Sequence, residues 1–108
     1  MALNFKINRK RKKGHLYLKL TGNFDGASAL ELVRALERNA LNAEQIFIDT
    51  CGLSSVQDFG QDVFVKNCAI SKIPSQKLIF SGSYGDRITP KGASFINNHQ
   101  KVWKSALN

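Results

Sequence analysis

Two short stretches near the start of the chain alternate apolar and polar residues. Leu3, Phe5 and Ile7 alternate with Asn4, Lys6 and Asn8, and Leu16, Leu18 and Leu20 alternate with Tyr17, Lys19 and Thr21. A period of two marks a strand with one buried face. The polar residues between the two, closing on Gly14, predict a hairpin tip. The period then changes. Ala29, Leu32, Val33, Leu36 and Ala40 form one stripe of a helix, with Gly22, Asn23 and Asp25 ahead of it as turn and cap residues. "QIFIDT", ending at Thr50, is a nearly continuous apolar run that suits a strand covered on both faces. Strand, helix and strand within about 35 residues make a right-handed crossover unit.

The alternation repeats. Val56, Phe59, Gly60, Val63, Phe64 and Asn67 mark a second helix, with Ser54, Ser55 or Asp58 at its start, and "KLIF" (77–80) is the next strand. Thr89-Pro90, a cap residue followed by proline, predicts a third helix with Ile96, Trp103 and Leu107 as core contacts. Gly92 and the Asn97-Asn98 pair run against that helix. The predicted order is β-β-α-β-α-β-α, an α/β sandwich whose mixed sheet has about four strands.

The 108 residues suit one domain, 1–108. A chain of this size needs neither a disulfide nor a metal to hold its core. No apolar run approaches the ~18 residues of a membrane span. No apolar segment precedes a cleavage site in "MALNFKINRKRKKG", so a cytoplasmic protein is expected. Cys51 and Cys68 form no C-x-x-C pair, and His15 and His99 have no ligand spacing with them. Buried reduced thiols, with no metal and no cofactor, are the expectation.

The net charge of +8 is local. Residues 1–20 hold seven lysines and arginines and no acid, whereas the rest holds nine basic and eight acidic residues. Most of the excess is the run Arg9, Lys10, Arg11, Lys12 and Lys13. On a hairpin tip it attracts phosphates and also keeps an edge hairpin from aggregating.

Catalytic motifs are weak. Asp58-Phe59-Gly60 spells the magnesium tripeptide of protein kinases, but the chain has no glycine-rich phosphate loop, no V-A-I-K and no His-Arg-Asp. Asp25 and Asp49 fall at loop edges, where turn and cap roles are expected. "GSYG" (82–85) follows a strand and reads as a flexible loop. A non-enzymatic protein is expected.

Three stretches together resemble a known family, the STAS domain of sulfate transporters and anti-sigma factor antagonists. "LKLTGNFDGASALEL" is similar to that family's strand-turn-helix start, "IFIDTCGLSSVQDFG" to its central strand, loop and second helix, and "KLIFSG" to its next strand. The resemblance covers about residues 3–85; residues 86–108 match loosely, and a fifth strand frequent in the family has no clear place. In antagonists of the family an Asp-Ser-Ser-Gly-like motif opens the second helix, and its first serine is phosphorylated by the partner kinase. By resemblance, Gln57 stands at the aspartate, Asp58 at the phosphorylated serine and Phe59 at the second serine, ahead of Gly60. Asp58 is then either a first-turn acid favoured by the helix dipole or a partner contact of fixed charge. Ser54 and Ser55, just upstream, have loop and cap roles or serve as acceptors themselves.

The resemblance implies a regulatory module that docks a protein partner, either a kinase-like anti-sigma factor or the ATPase of a transporter. The implied surface is the start of the second helix with the Phe24, Asp25 and Gly26 turn. The alternative is a basic domain that binds nucleic acid or anionic membrane through residues 9–13.

Overall fold

The computed structural model describes residues 4–96. Expectations placed on Leu3, Asn97, Asn98, His99, Trp103 and Leu107 lie outside the described residues. The elements run β1 (Lys6–Lys12), β2 (His15–Phe24), α1 (Gly26–Asn39), β3 (Ile46–Val56), α2 (Asp58–Ile70), β4 (Leu78–Ser81), α3 (Gly85–Ile88) and β5 (Ser94–Ile96). Single 3-10 turns at Ala40–Asn42 and Ser75–Lys77 follow α1 and precede β4.

The five strands lie in sequence order, β1-β2-β3-β4-β5. β1 is antiparallel to β2, and all other pairs are parallel. Crossovers between parallel strands are right-handed. Each one here advances the sheet in the same direction, so α1 and α2 lie side by side on one face. Beneath them sit Leu16, Leu18 and Leu20 of β2, Ile46 and Ile48 of β3, and Leu78 and Phe80 of β4. The predicted stripe of α1, Ala29, Leu32, Val33, Leu36 and Ala40, is buried against this layer. Four rings tie the layers together. Phe5, Phe24, Phe64 and Phe80 meet edge to face in series, with centroids 6.0, 6.0 and 5.9 Å apart, a geometry worth about 0.5–1.5 kcal/mol per pair beyond the area buried.

The opposite face of β3 is covered less than its apolar run predicted. Helices α1 and α2 pack on one side, and on the other Phe47 is half-buried, stacked on Tyr17 at 4.9 Å.

Two sequence expectations are corrected. The basic run is not a hairpin tip. Lys12 pairs with His15, so the turn is Lys13-Gly14 alone, with φ of 53° and 83°. Two left-handed residues in a two-residue loop make a type I′ turn, whose twist matches that of the strands. Arg9, Lys10, Arg11 and Lys12 therefore lie in β1, the unpaired edge of the sheet, and only Lys13 is at the tip.

Thr89-Pro90 does not open a helix. The Thr89 hydroxyl donates to Gly85 O at 2.6 Å and so closes α3 behind it. Pro90 O accepts from Ala93 N at 3.1 Å in a turn that leads into β5. Ile96 consequently lies in a fifth strand rather than lining a helix, and among the described residues the mixed sheet holds five strands, close to the expected number.

Candidate functional site

The residues singled out around the second helix converge. β2 and β3 run side by side to their ends, with Asn23 opposite Ser55 and Phe24 opposite Val56. The chain leaves β3 at Gln57, whose N–H donates to Phe24 O at 3.0 Å. α2 begins one residue later, pressed against the turn between β2 and α1. Gly60 is required by this approach: a Cβ there would sit 2.6 Å from Phe24 O and 2.8 Å from Asp25 C. The buried side of α2 is Gly60, Phe64 and Cys68, spaced i, i+4, i+8.

Phe59 is not on that side. Sequence periodicity counts it with the helix's apolar residues, but its ring is 69% exposed and leans over Gly26, where a Cβ would lie 2.8 Å from Phe59 Cε2. Asp58 precedes it in the first turn, with its side chain 96% exposed. Its Oδ1 accepts from Arg87 Nη2 at 3.0 Å, and the same nitrogen lies 3.4 Å from Gln61 Oε1. Arg87 is the site residue that sequence reasoning missed. It stands on α3, 29 positions from Asp58, with no local signal connecting the two.

The neighbouring residues have structural partners. Asp25 caps α1, accepting from Ser28 N at 2.9 Å. That backbone hydrogen bond holds its carboxyl below the ordinary carboxylate value, against the opposing effect of burial. Ser28 Oγ lies 2.7 Å from Asn23 O and 2.9 Å from Asp25 Oδ1. Ser55 Oγ meets Asn23 Oδ1 at 2.9 Å. Ser54 is exposed, and its carbonyl accepts from Tyr84 Oη at 3.3 Å. Gln57 is the N-cap of α2 but makes no side-chain cap bond. Phe24 is fully buried and supports the turn from below.

Elsewhere the candidate chemistry resolves into structure. Asp49 is buried, and its Oδ1 accepts from Cys51 N at 2.9 Å. The GSYG loop is held on β3, with Tyr84 N donating to Thr50 Oγ1 at 3.1 Å. Cys68 is buried as expected, its thiol pushed up to about 12 by burial. Cys51 is exposed rather than buried, because it lies on the outer face of β3. Partial desolvation and the Asp49 charge push its thiol up as well. Among the described residues no group of three or more His, Cys, Asp or Glu side chains could hold a metal ion. No described helix is long and apolar enough to cross a membrane.

The basic run is divided by the pleat. Arg11 points to the helix side, where Nη1 donates to Asn42 O at 2.9 Å and Nη2 to Asn39 Oδ1 at 3.1 Å. Arg9, two positions away, shares that side, while Lys10 and Lys12 alternate to the other.

This architecture has known counterparts. An anti-sigma factor antagonist from Mycobacterium paratuberculosis matches with a TM-score of 0.67 at 11% identity, over 96% of this chain and 95% of that one. The anti-sigma factor antagonist SpoIIAA in its unphosphorylated form gives 0.62 at 9% identity, over 95% and 96%. RsbS of Moorella thermoacetica, carrying a serine-to-glutamate substitution, gives 0.60 at 15% identity, over 95% and 96%. No family model matches the sequence, and no curated protein matches it significantly. The chain has the STAS fold, the SpoIIAA-like α/β architecture that the three sequence stretches implied.

Proposed function

We propose that this protein is a non-enzymatic regulatory module that docks a protein partner of the anti-sigma factor class through the start of α2 and the Phe24, Asp25 and Gly26 turn. The observation that carries the reading is Phe59. A large ring 69% exposed stands on a helix whose inner side is already filled by Gly60, Phe64 and Cys68. An aromatic anchor of this kind, rimmed by polar groups, is what interface hot spots are made of. Here the rim is Asp58, Gln57 and Arg87.

In this reading Asp58 gives the surface a fixed charge where related antagonists carry a serine. One carboxylate supplies a single negative charge, against about −1.5 to −2 for a phosphoserine at neutral pH. Arg87 already partners that charge at 3.0 Å. The surface is therefore held in one electrostatic state instead of being switched at this position. Ser54, four positions upstream of Asp58 and exposed, offers a hydroxyl to a partner kinase. A cytoplasmic location goes with this role.

The test is a paired capture from native extract with wild-type protein and Phe59→Ala, using Lys66→Ala on the exposed side of α2 as the control. The partner is then identified and titrated. Phe59→Ala is expected to weaken binding by about tenfold or more, in line with a hot-spot truncation, while Lys66→Ala binds as wild type. A partner held equally by all three forms would rule out this surface.

A further inference from the structure

The arginines of the basic run and two arginines of α1 meet in a place the sequence does not suggest. Arg34 and Arg38 are four positions apart on one side of α1 and exposed. Arg9 faces them from β1. Together with Ile7, Ala35 and Glu31 they line a groove of about 390 Å³ between the edge strand and the helix. Ile7 and Ala35 form its apolar floor, being half-buried and buried respectively. Three guanidiniums face a single carboxylate. None of the three arginines makes an ion pair or a hydrogen bond among the described residues. Arg11, next along the strand on the same side, differs: its fork is taken up by Asn39 and Asn42. That bond ties β1 to the end of α1 and holds Arg9 opposite Arg34 and Arg38.

Like charges gathered in a concavity repel one another unless an anion lies between them. Guanidinium groups suit a particular anion. They are planar forks that match the oxygens of a phosphate two at a time, which an ammonium does not. A cleft of this size falls within the range of small-ligand sites, about 300–1,000 Å³.

We propose that the groove between β1 and α1 is a phosphate-binding site, in which Arg9, Arg34 and Arg38 hold a phosphate group over Ile7 and Ala35. The site stands apart from α2 and does not depend on the docking surface proposed there. A soluble phosphorylated molecule and a phospholipid headgroup both present this chemistry.

The full chain is titrated with inorganic triphosphate and, separately, with phosphatidylcholine vesicles containing phosphatidic acid. Wild type is compared with the Arg9→Gln, Arg34→Gln, Arg38→Gln variant. The control is Lys6→Gln, Lys13→Asn, Lys66→Gln, which removes the same charge from exposed positions outside the groove. Saturable binding is expected for wild type, weakened about tenfold or more in the arginine variant and less than about threefold in the lysine variant. Binding of triphosphate identifies a soluble ligand, and binding of vesicles alone identifies a headgroup. A third form, with lysine at all three arginine positions, keeps the charge and removes the forks. It is expected to bind more weakly than wild type, and it carries the test if the glutamine variant fails to fold. The proposal is overturned if wild type binds neither probe, if the arginine and lysine variants lose affinity equally, or if the lysine-for-arginine form binds as wild type.

Discussion

The two long helices begin beside each other and begin in opposite ways. At the start of α1, Asp25 accepts from Ser28 N, Ser28 Oγ turns back to the same carboxylate and to Asn23, and the cap is half-buried. At the start of α2, Gln57 offers no side-chain cap, Asp58 is almost fully exposed, and Phe59 stands out in solvent. The first start has its polar groups satisfied by its own residues. The second leaves backbone donors without a side-chain cap and an aromatic ring in solvent, and its exposed charge is paired with Arg87 from another element. The difference separates residues whose polar groups are tied into the fold from residues exposed to solvent, although the two starts adjoin through the Gln57 N–H bond to Phe24 O.

The largest effect tests the junction itself. Gly60→Ala drives a methyl group into the Phe24 carbonyl, 2.6 Å from where it would sit. Overpacking of this kind is expected to cost about 1–3 kcal/mol, read from the denaturant midpoint. An unchanged midpoint would mean that α2 can lift off the turn at little cost.

Asp25→Ala follows, with about 1 kcal/mol lost with the cap. The loss depends on pH. The Asp25 carboxyl lies below its ordinary 3.8 in the folded protein, so its ionised form stabilises the fold above that value. The contribution disappears as pH falls through the folded value. Wild type and Asp25→Ala should therefore differ at neutral pH and approach each other in strong acid. Parallel curves would assign the loss to something other than the carboxylate.

The comparison can also be sharpened by repairing the weaker start. Gln57→Asp supplies the missing cap at α2 and should raise stability by about 0.5–1 kcal/mol. A variant no more stable than wild type would show that α2 does not lack a cap in solution.

The smallest effect concerns Asp58. Its pair with Arg87 is exposed, and pairs of that kind contribute about 0–1 kcal/mol. Asp58→Ser and Arg87→Ala should each move stability by less than about 0.5 kcal/mol. Partner affinity, by contrast, is expected to shift about tenfold for Asp58→Ser. A stability loss with unchanged affinity would assign Asp58 to the fold.

Much of the architecture was legible because its signals were periodic. The α1 stripe and the alternation of Leu16, Leu18 and Leu20 each specify one buried side, and those sides meet. Signals that depend on direction or on distance were not. Thr89 carries a cap-forming hydroxyl, but the sequence does not say whether it serves the helix in front of it or the one behind, and it serves α3 behind. Phe59 fits the apolar rhythm of α2, yet the inner line runs through Gly60, one residue on, because only glycine allows the helix to approach Phe24. Arg87 reaches Asp58 through the tertiary fold alone. The lysines and arginines of the basic run read as one block of charge. The turn at Lys13-Gly14 places them in a strand, and the pleat then sends Arg9 and Arg11 to the helix side.

The strand order has a consequence for how the chain assembles. Every strand from β2 to β5 finds its hydrogen-bonding neighbour in the strand made immediately before it. A ribosome releasing this chain delivers each new strand to an edge that already exists, with no gap held open for a later insertion. The intervals between partners are short, so loop closure at each addition is inexpensive. The fold can grow like a row of planks laid one after another, and the β1–β2 hairpin is the plank laid first.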